Sequence, residues 1–270
     1  MTELDLPAWS EPFALERRAE LARLGPFDPL DRDTVFGGSD GSGVRVAIID
    51  SGIEGDHPAV GGRLVMSLRV EPTDEDPIVV DDPEAIDVVG HGTACAGIIH
   101  SLAPGAELIS IRVLGPDNKG KGAYFATGMI WAIEHGVNVV NLSLSSRSEE
   151  LFPLFHELTD EAYFGNVLLV SAANNVPGPS YPSLFSSVVS VAAHDVADPW
   201  TWYYNPRPPV EFGAYGLDVD VAWQDGGRIV ATGNSFAAPH IAGLAALIRS
   251  KHPNATPFEV KSMLAATANR

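Results

Sequence analysis

The sequence predicts an α/β protein with a mostly parallel central sheet and helices on both faces, three layers in all. Short runs at 44–50, 137–144 and 167–173 are predominantly apolar and rich in Val, Ile and Leu, as strands buried on both faces are. Segments with helical periodicity alternate with them from residue 44 onward. The chain has 270 residues and is 45% hydrophobic, enough for one large, well-buried domain or at most two small ones.

Taken in order, residues 1–43 read as an N-terminal arm and linker. Phe13, Leu15, Leu21 and Leu24 lie among charges and predict an amphipathic helix over 12–24 that docks on the main domain. Residues 37–43 are rich in Gly, Ser and Asp and read as a flexible linker. They precede a strand, whereas a phosphate loop follows one, so nucleotide binding is not expected here. The main domain covers 44–270. Its expected strands are 44–50, 107–114, 137–144, 167–173 and 187–193. Its expected helices are 91–100, 124–135 (ended by Gly136), 151–163, 235–251 and 257–266. Two stretches break the rhythm and read as surface loops: the acidic 71–87 and the Pro- and aromatic-rich 199–209.

Acidic residues outnumber basic ones 35 to 17, for a net charge of −18. Such a surface repels nucleic acid phosphates and anionic lipid heads, so neither is an expected partner. The same charge would mildly favour cationic peptides, or serve solubility alone. The single cysteine, Cys95, allows no intramolecular disulfide. The first residues lack the basic and apolar regions of a signal peptide, and no apolar run is long enough to cross a bilayer. These features lead to the expectation of a cytoplasmic, soluble protein.

Three segments carry the chemistry. Asp50 ends the first strand within Ile49-Asp50-Ser51-Gly52. His91 opens a helix within Gly90-His91-Gly92-Thr93. Ser235 opens the long helix within Gly233-Asn234-Ser235-Phe236. A carboxylate at the end of a buried strand is costly unless hydrogen bonds hold it, which Ser51 and Gly52 are placed to supply. A serine at a helix start is commonly an N-cap, and an Asp-Ser-Gly run is common turn chemistry. Together, an acid, an imidazole and a hydroxyl are what nucleophilic catalysis by serine needs. The helix start adds a backbone N–H able to face a developing oxyanion. Gly233-Asn234-Ser235-Phe236-Ala237 nearly mimics the Gly-x-Ser-x-Gly elbow of another hydrolase class, but that class places its acid and histidine after the serine.

From about residue 44 to the end, the chain resembles the subtilisin-like serine peptidases, the subtilases of peptidase family S8. Ile49-Asp50-Ser51-Gly52, His91-Gly92-Thr93 and Gly233-Asn234-Ser235-Phe236-Ala237-Ala238-Pro239-His240 match the family's three signature blocks, in the family's chain order. Asp56-His57-Pro58 matches the segment after the aspartate. The resemblance implies a subtilisin-like fold, with Ser235 as nucleophile, His91 as general base and then acid, and Asp50 fixing the His91 tautomer. It places the oxyanion-hole amide on Asn175 of Ser171-Ala172-Ala173-Asn174-Asn175. Two segments resemble the groove walls: Gly120, Lys121 and Gly122, then Ser143, Leu144, Ser145 and Ser146.

Several positions depart from the family pattern. Ser145, Ser146 and Asn174 stand where the family usually has glycine, which leads to the expectation of a narrower or more polar pocket for the residue before the cut. Asn234 replaces a threonine and is read either as a second oxyanion donor or as a perturbation. Cys95, one helical turn after His91, is similar to a thiol of the proteinase K branch and is expected to pack beneath the imidazole. The family's calcium loop is missing after the His91 helix, and the carboxylates of 71–87 match no recognised ligand spacing. No cofactor is therefore expected to be required, no metal ligand is assigned, and calcium stays open. No long propeptide-like segment precedes Val44. The expected function is thus a serine endopeptidase acting on a peptide or protein, a dedicated intracellular processing enzyme for a precursor or leader peptide. The alternatives are a catalytically weak peptide-binding homologue and an esterase or transacylase using the same triad.

Overall fold

The computed structural model describes residues 30–207 and 209–269. The amphipathic helix expected over 12–24 lies outside them. A nine-stranded sheet forms the middle layer. Its strands in chain order are β1 (Arg45–Asp50), β2 (Leu64–Glu71), β3 (Ile78–Asp81), β4 (Glu107–Arg112), β5 (Val139–Leu142), β6 (Leu168–Ala172), β7 (Val189–His194), β8 (Trp202–Tyr204) and β9 (Phe212–Tyr215). Their spatial order is β3-β2-β4-β1-β5-β6-β7-β9-β8. The seven central strands are parallel, and β3 and β8 close the two edges antiparallel. A separate hairpin joins β10 (Val219–Trp223) to β11 (Gly227–Ala231).

The helices are α1 (Arg32–Phe36), α2 (His91–Leu102), α3 (Gly122–Glu134), α4 (Phe152–Phe164), α5 (Asn234–Lys251) and α6 (Pro257–Ala266). Side chains alternate across a strand, so each central strand feeds two cores. Val46 and Ile48 of β1 join Ile99 of α2 and Ile241, Leu244 and Ile248 of α5 on one face. Ala47 and Ile49 join Met129 of α3 and Phe155 and Leu158 of α4 on the other. Among the described residues no helix is long and apolar enough to cross a membrane.

The strands and helices expected from residue 44 onward all form, with ends shifted by a few residues. Three readings change. Residues 37–43 are pinned rather than loose. The Ser39 hydroxyl donates to Leu247 O, Ser42 O accepts from the Ser250 hydroxyl, and Gly41 packs on Ala103 and Ala106. Just before them, Val35 and Phe36 of the unexpected helix α1 are buried in the main core.

The acidic stretch is not wholly a solvated loop. It contains β3, and Asp82 and Asp87 are buried. A buried carboxylate needs partners. Asp82 takes two hydrogen bonds from Arg112, at 3.0 and 2.8 Å, and one from Arg69. Residues 199–207 likewise include β8, whose Trp202 is fully buried and donates its indole N–H to Leu264 O at 2.8 Å. Short edge strands broken by charge and proline escape a search for long apolar runs.

Candidate active site

The alternation of β1 places Asp50 in the series of Val46 and Ile48, facing α2 and α5 at the carboxyl end of the sheet. Its carboxylate is fully buried and accepts from Ser51 N at 2.7 Å. His91 is the first residue of α2, and its Nδ1 lies 2.8 and 2.9 Å from the two Asp50 oxygens. An ionised carboxylate accepts, so Nδ1 carries the proton and donates. This leaves Nε2 as the ring's acceptor. The close approach depends on Gly92. A Cβ there would lie 2.0 Å from Gly52 O and 3.2 Å from the Asp50 Cβ.

Burial pulls the His91 imidazole toward the neutral form. The charge and hydrogen bond of Asp50, helped by Asp87, outweigh that and leave its pKa above the ordinary histidine value. The Phe236 ring covers the imidazole with centroids 5.3 Å apart.

Asp87 was not singled out from the sequence, yet it holds this corner together. Its Oδ1 accepts from the Ser51 hydroxyl at 2.7 Å, Gly90 N at 2.7 Å and Val89 N at 3.0 Å. Its Oδ2 accepts from Thr93 N at 2.8 Å and the Thr93 hydroxyl at 2.7 Å. The Ser51 hydroxyl in turn accepts from Gly92 N at 3.1 Å. One carboxylate therefore ties the residue after Asp50 to the residues on both sides of His91. The available signal was a side chain of capping type four residues before a helical histidine.

Ser235 is the second residue of α5, and its N–H belongs to the first turn, whose donors lack intrahelical acceptors. Its carbonyl accepts from the Ser143 hydroxyl at 2.8 Å, which itself accepts from Asn141 Nδ2 at 2.9 Å. Cys95 is buried between Asp50 and Ser235. Its Sγ lies 4.0 Å from Asp50 Oδ2 and 3.7 Å from Ser235 O, and burial, then the Asp50 charge, drives its pKa well above that of a free thiol. Among the described residues no hydrogen bond reaches the Ser235 hydroxyl. Such contacts commonly close only when substrate arrives. Asp50, His91 and Cys95 each offer a donor atom within 4.8 Å of the others, close enough to share a metal ion. The Asp50 and His91 atoms are already joined to each other, which is the arrangement of an acid–base pair.

Asn175 Oδ1 accepts from Asn234 N at 2.9 Å, which turns its Nδ2 the other way. The Asn234 side chain is fully engaged elsewhere. Its Oδ1 accepts from Ala193 N at 2.8 Å, and its Nδ2 donates to Ala173 O and Asn174 O at 3.1 and 3.3 Å. Asn234 therefore braces the loop that carries Asn175 against β7 and leaves any anion in the groove to other donors.

His91, Ser235 and Asn175 all line one groove of about 480 Å³. Gly120, Lys121 and Gly122 line it too, as do Ser143, Leu144, Ser145, Ser146 and Asn174. Asn174 Nδ2 reaches Ser145 Oγ at 3.4 Å, a long contact that spans the two walls. The Ser146 hydroxyl is turned away and accepts from Ser148 N at 3.1 Å.

A buried acid–imidazole pair, a serine on a helix start and a free amide on one groove define a serine-hydrolase site on a parallel α/β scaffold. The chain belongs to the subtilase family: the family model for Peptidase S8 matches residues 41–270. It is 32% identical over 242 residues to the thermostable alkaline protease of Halalkalibacterium halodurans, covering 84% of this chain and 63% of that protein. It is also 32% identical over 242 residues to subtilisin BL of Lederbergia lenta, covering 86% of this chain and 85% of that one. Among solved structures it resembles a cold-adapted subtilisin-like serine proteinase, with TM-score 0.68 and 26% identity over 83% of this chain and 82% of that one. The S41 psychrophilic protease gives 0.72 and 28% over 86% and 87%. By membership this is a subtilisin-like serine endopeptidase.

Proposed function

We propose that the groove hydrolyses peptide bonds through an acyl-enzyme on Ser235. The single observation that carries this is the Asp50–His91 pair opening onto the same groove as Ser235 and the Asn175 amide. In the first step the Ser235 Oγ forms a bond to the scissile carbonyl carbon while His91 Nε2 takes the hydroxyl proton. Asp50 holds the Nδ1–H tautomer and stabilises the imidazolium. The Ser235 N–H and Asn175 Nδ2 receive the oxyanion. His91 then gives its proton to the leaving amine, and water repeats the sequence on the ester.

The extended substrate lies along Gly120, Lys121 and Gly122, whose glycines permit close backbone approach. Ser145 and Asn174 reach toward each other across the pocket for the residue before the cut, which favours a small or polar side chain there. The enzyme needs no cofactor for this chemistry and acts as a dedicated processing peptidase in the cytoplasm. A lone, buried thiol suits a reducing compartment.

Labelling with a fluorophosphonate followed by peptide mapping tests the core of this reading. Ser235 should carry the adduct, and Ser235→Ala should carry none. A folded wild-type protein without adduct sinks it. The free Ser235 hydroxyl favours one other reading, a weak catalyst that binds peptides, and labelling without cleavage of any peptide library would select it.

A further inference from the structure

Lysine is scarce in this chain: four residues in 270. Lys251 donates to Asp33 O. Lys261 donates to Ser186 O and Val188 O and pairs with Glu211 at 2.7 Å. The remaining two, Lys119 and Lys121, both line the active-site groove and flank Gly120. Both are exposed, and neither ammonium group makes an ion pair or hydrogen bond among the described residues. Lys121 Nζ lies 5.4 Å from the Tyr124 ring centroid, which orients it without neutralising it. None of the residues lining the groove is Asp or Glu, although acids outnumber bases two to one in the whole chain. Arg147, directly after the groove residue Ser146, is exposed as well and packs beside Gly178.

The groove therefore has the opposite sign to the molecule around it. In a chain of net charge −18 the surface is acidic on average, and an anionic partner is repelled at long range. Two unpaired cations on one wall reverse this locally, over about a Debye length. They stand beside the glycine that admits the substrate backbone, within reach of a side chain of that same strand.

We propose that the substrate of this groove is an acidic peptide segment, with Asp or Glu side chains along the wall formed by residues 120–122, received by Lys119 and Lys121. This rests on the endopeptidase reading above and specifies its substrate class. It reverses the preference for cationic peptides that the whole-chain charge suggests.

The test is a set of peptide sub-libraries with Glu, Gln or Lys fixed at each position around the cut. At low salt, Glu should exceed Gln in kcat/KM by about 5-fold at one or more positions, since an exposed ion pair is worth a few-fold. The advantage should fade at about 0.5 M salt. K119Q/K121Q should abolish it, and K119E/K121E should shift the preference to Lys. Equal cleavage of Glu and Gln at every position overturns the proposal while leaving the endopeptidase reading intact. So does a preference for Lys, or a Glu preference that survives in K119Q/K121Q. If no library is cut, the endopeptidase reading fails, and the acid preference is read instead on retention by immobilised Ser235→Ala protein. Glu-fixed libraries retained no better than Gln-fixed ones then overturn it.

Discussion

Asp87 and Thr93 clasp the turn that carries His91: the Thr93 backbone N–H and hydroxyl both donate to Asp87 Oδ2, at 2.8 and 2.7 Å. The other Asp87 oxygen serves Ser51, Val89 and Gly90. Asp87→Ala would strand several buried donors, so a loss of about 3–5 kcal/mol in unfolding free energy is expected by denaturant titration.

Asp87→Asn reports on charge. The negative group helps keep the His91 pKa above its ordinary value. A general base works only when neutral, so activity disappears as pH falls through that raised pKa. Removing the charge lowers the pKa, and the acidic limb of the kcat/KM profile should move to lower pH. Misplacement of the turn alone would lower the plateau without that displacement.

Asn175 and Asn234 touch but should fail differently. Asn175→Ala is expected to cut kcat by about 10²–10³, the size known for such a donor in subtilisin itself, with KM and stability nearly unchanged. Asn234→Ala removes the brace on Ala193 N, Ala173 O and Asn174 O. It should cost about 2–3 kcal/mol of stability, and its catalytic loss should follow the misplacement of Asn175. Paired thermal melts and steady-state kinetics separate the two.

Widening the groove should broaden its taste. Ser145→Gly with Asn174→Gly removes the contact across the two walls. The cleavage profile of the double variant should admit larger residues before the cut, with leucine or phenylalanine gaining about tenfold over alanine. An unchanged profile would mean that the two side chains do not bound the pocket.

His240 is a buried residue of α5, and its Nδ1 donates to Phe236 O one turn earlier at 2.9 Å. Burial pushes its pKa from 6.5 down to about 4. The unfolded chain therefore binds this proton first as pH falls. Stability contributed by the neutral ring is complete above about 6.5 and is lost progressively toward 4, by about 3 kcal/mol. His240→Gln should flatten that part of the stability–pH curve in urea titrations.

The central strands were legible because burial on both faces leaves a predominantly apolar run, as at 44–50 and 137–144. Asp50, His91 and Ser235 were legible because each sits at the end of a strand or the start of a helix with a glycine within two residues. Asp87 was not, because a residue whose work is to accept five hydrogen bonds looks like any other acid in an acidic stretch. Asp82 was hidden for the same reason, since its partners Arg69 and Arg112 lie on strands distant in sequence. The choice between two roles for Asn234 required the position of Ala193 N, which only the packing of β7 against α5 supplies.

Cys95 is the chain's one thiol, enclosed where β1, α2 and α5 meet. A reagent such as an aromatic disulfide can reach it only when those three elements part. The native protein thus carries its own reporter of breathing at the catalytic corner. Its labelling rate, slowed by a bound inhibitor and quickened by Asp87→Ala, would time that opening without any engineered probe.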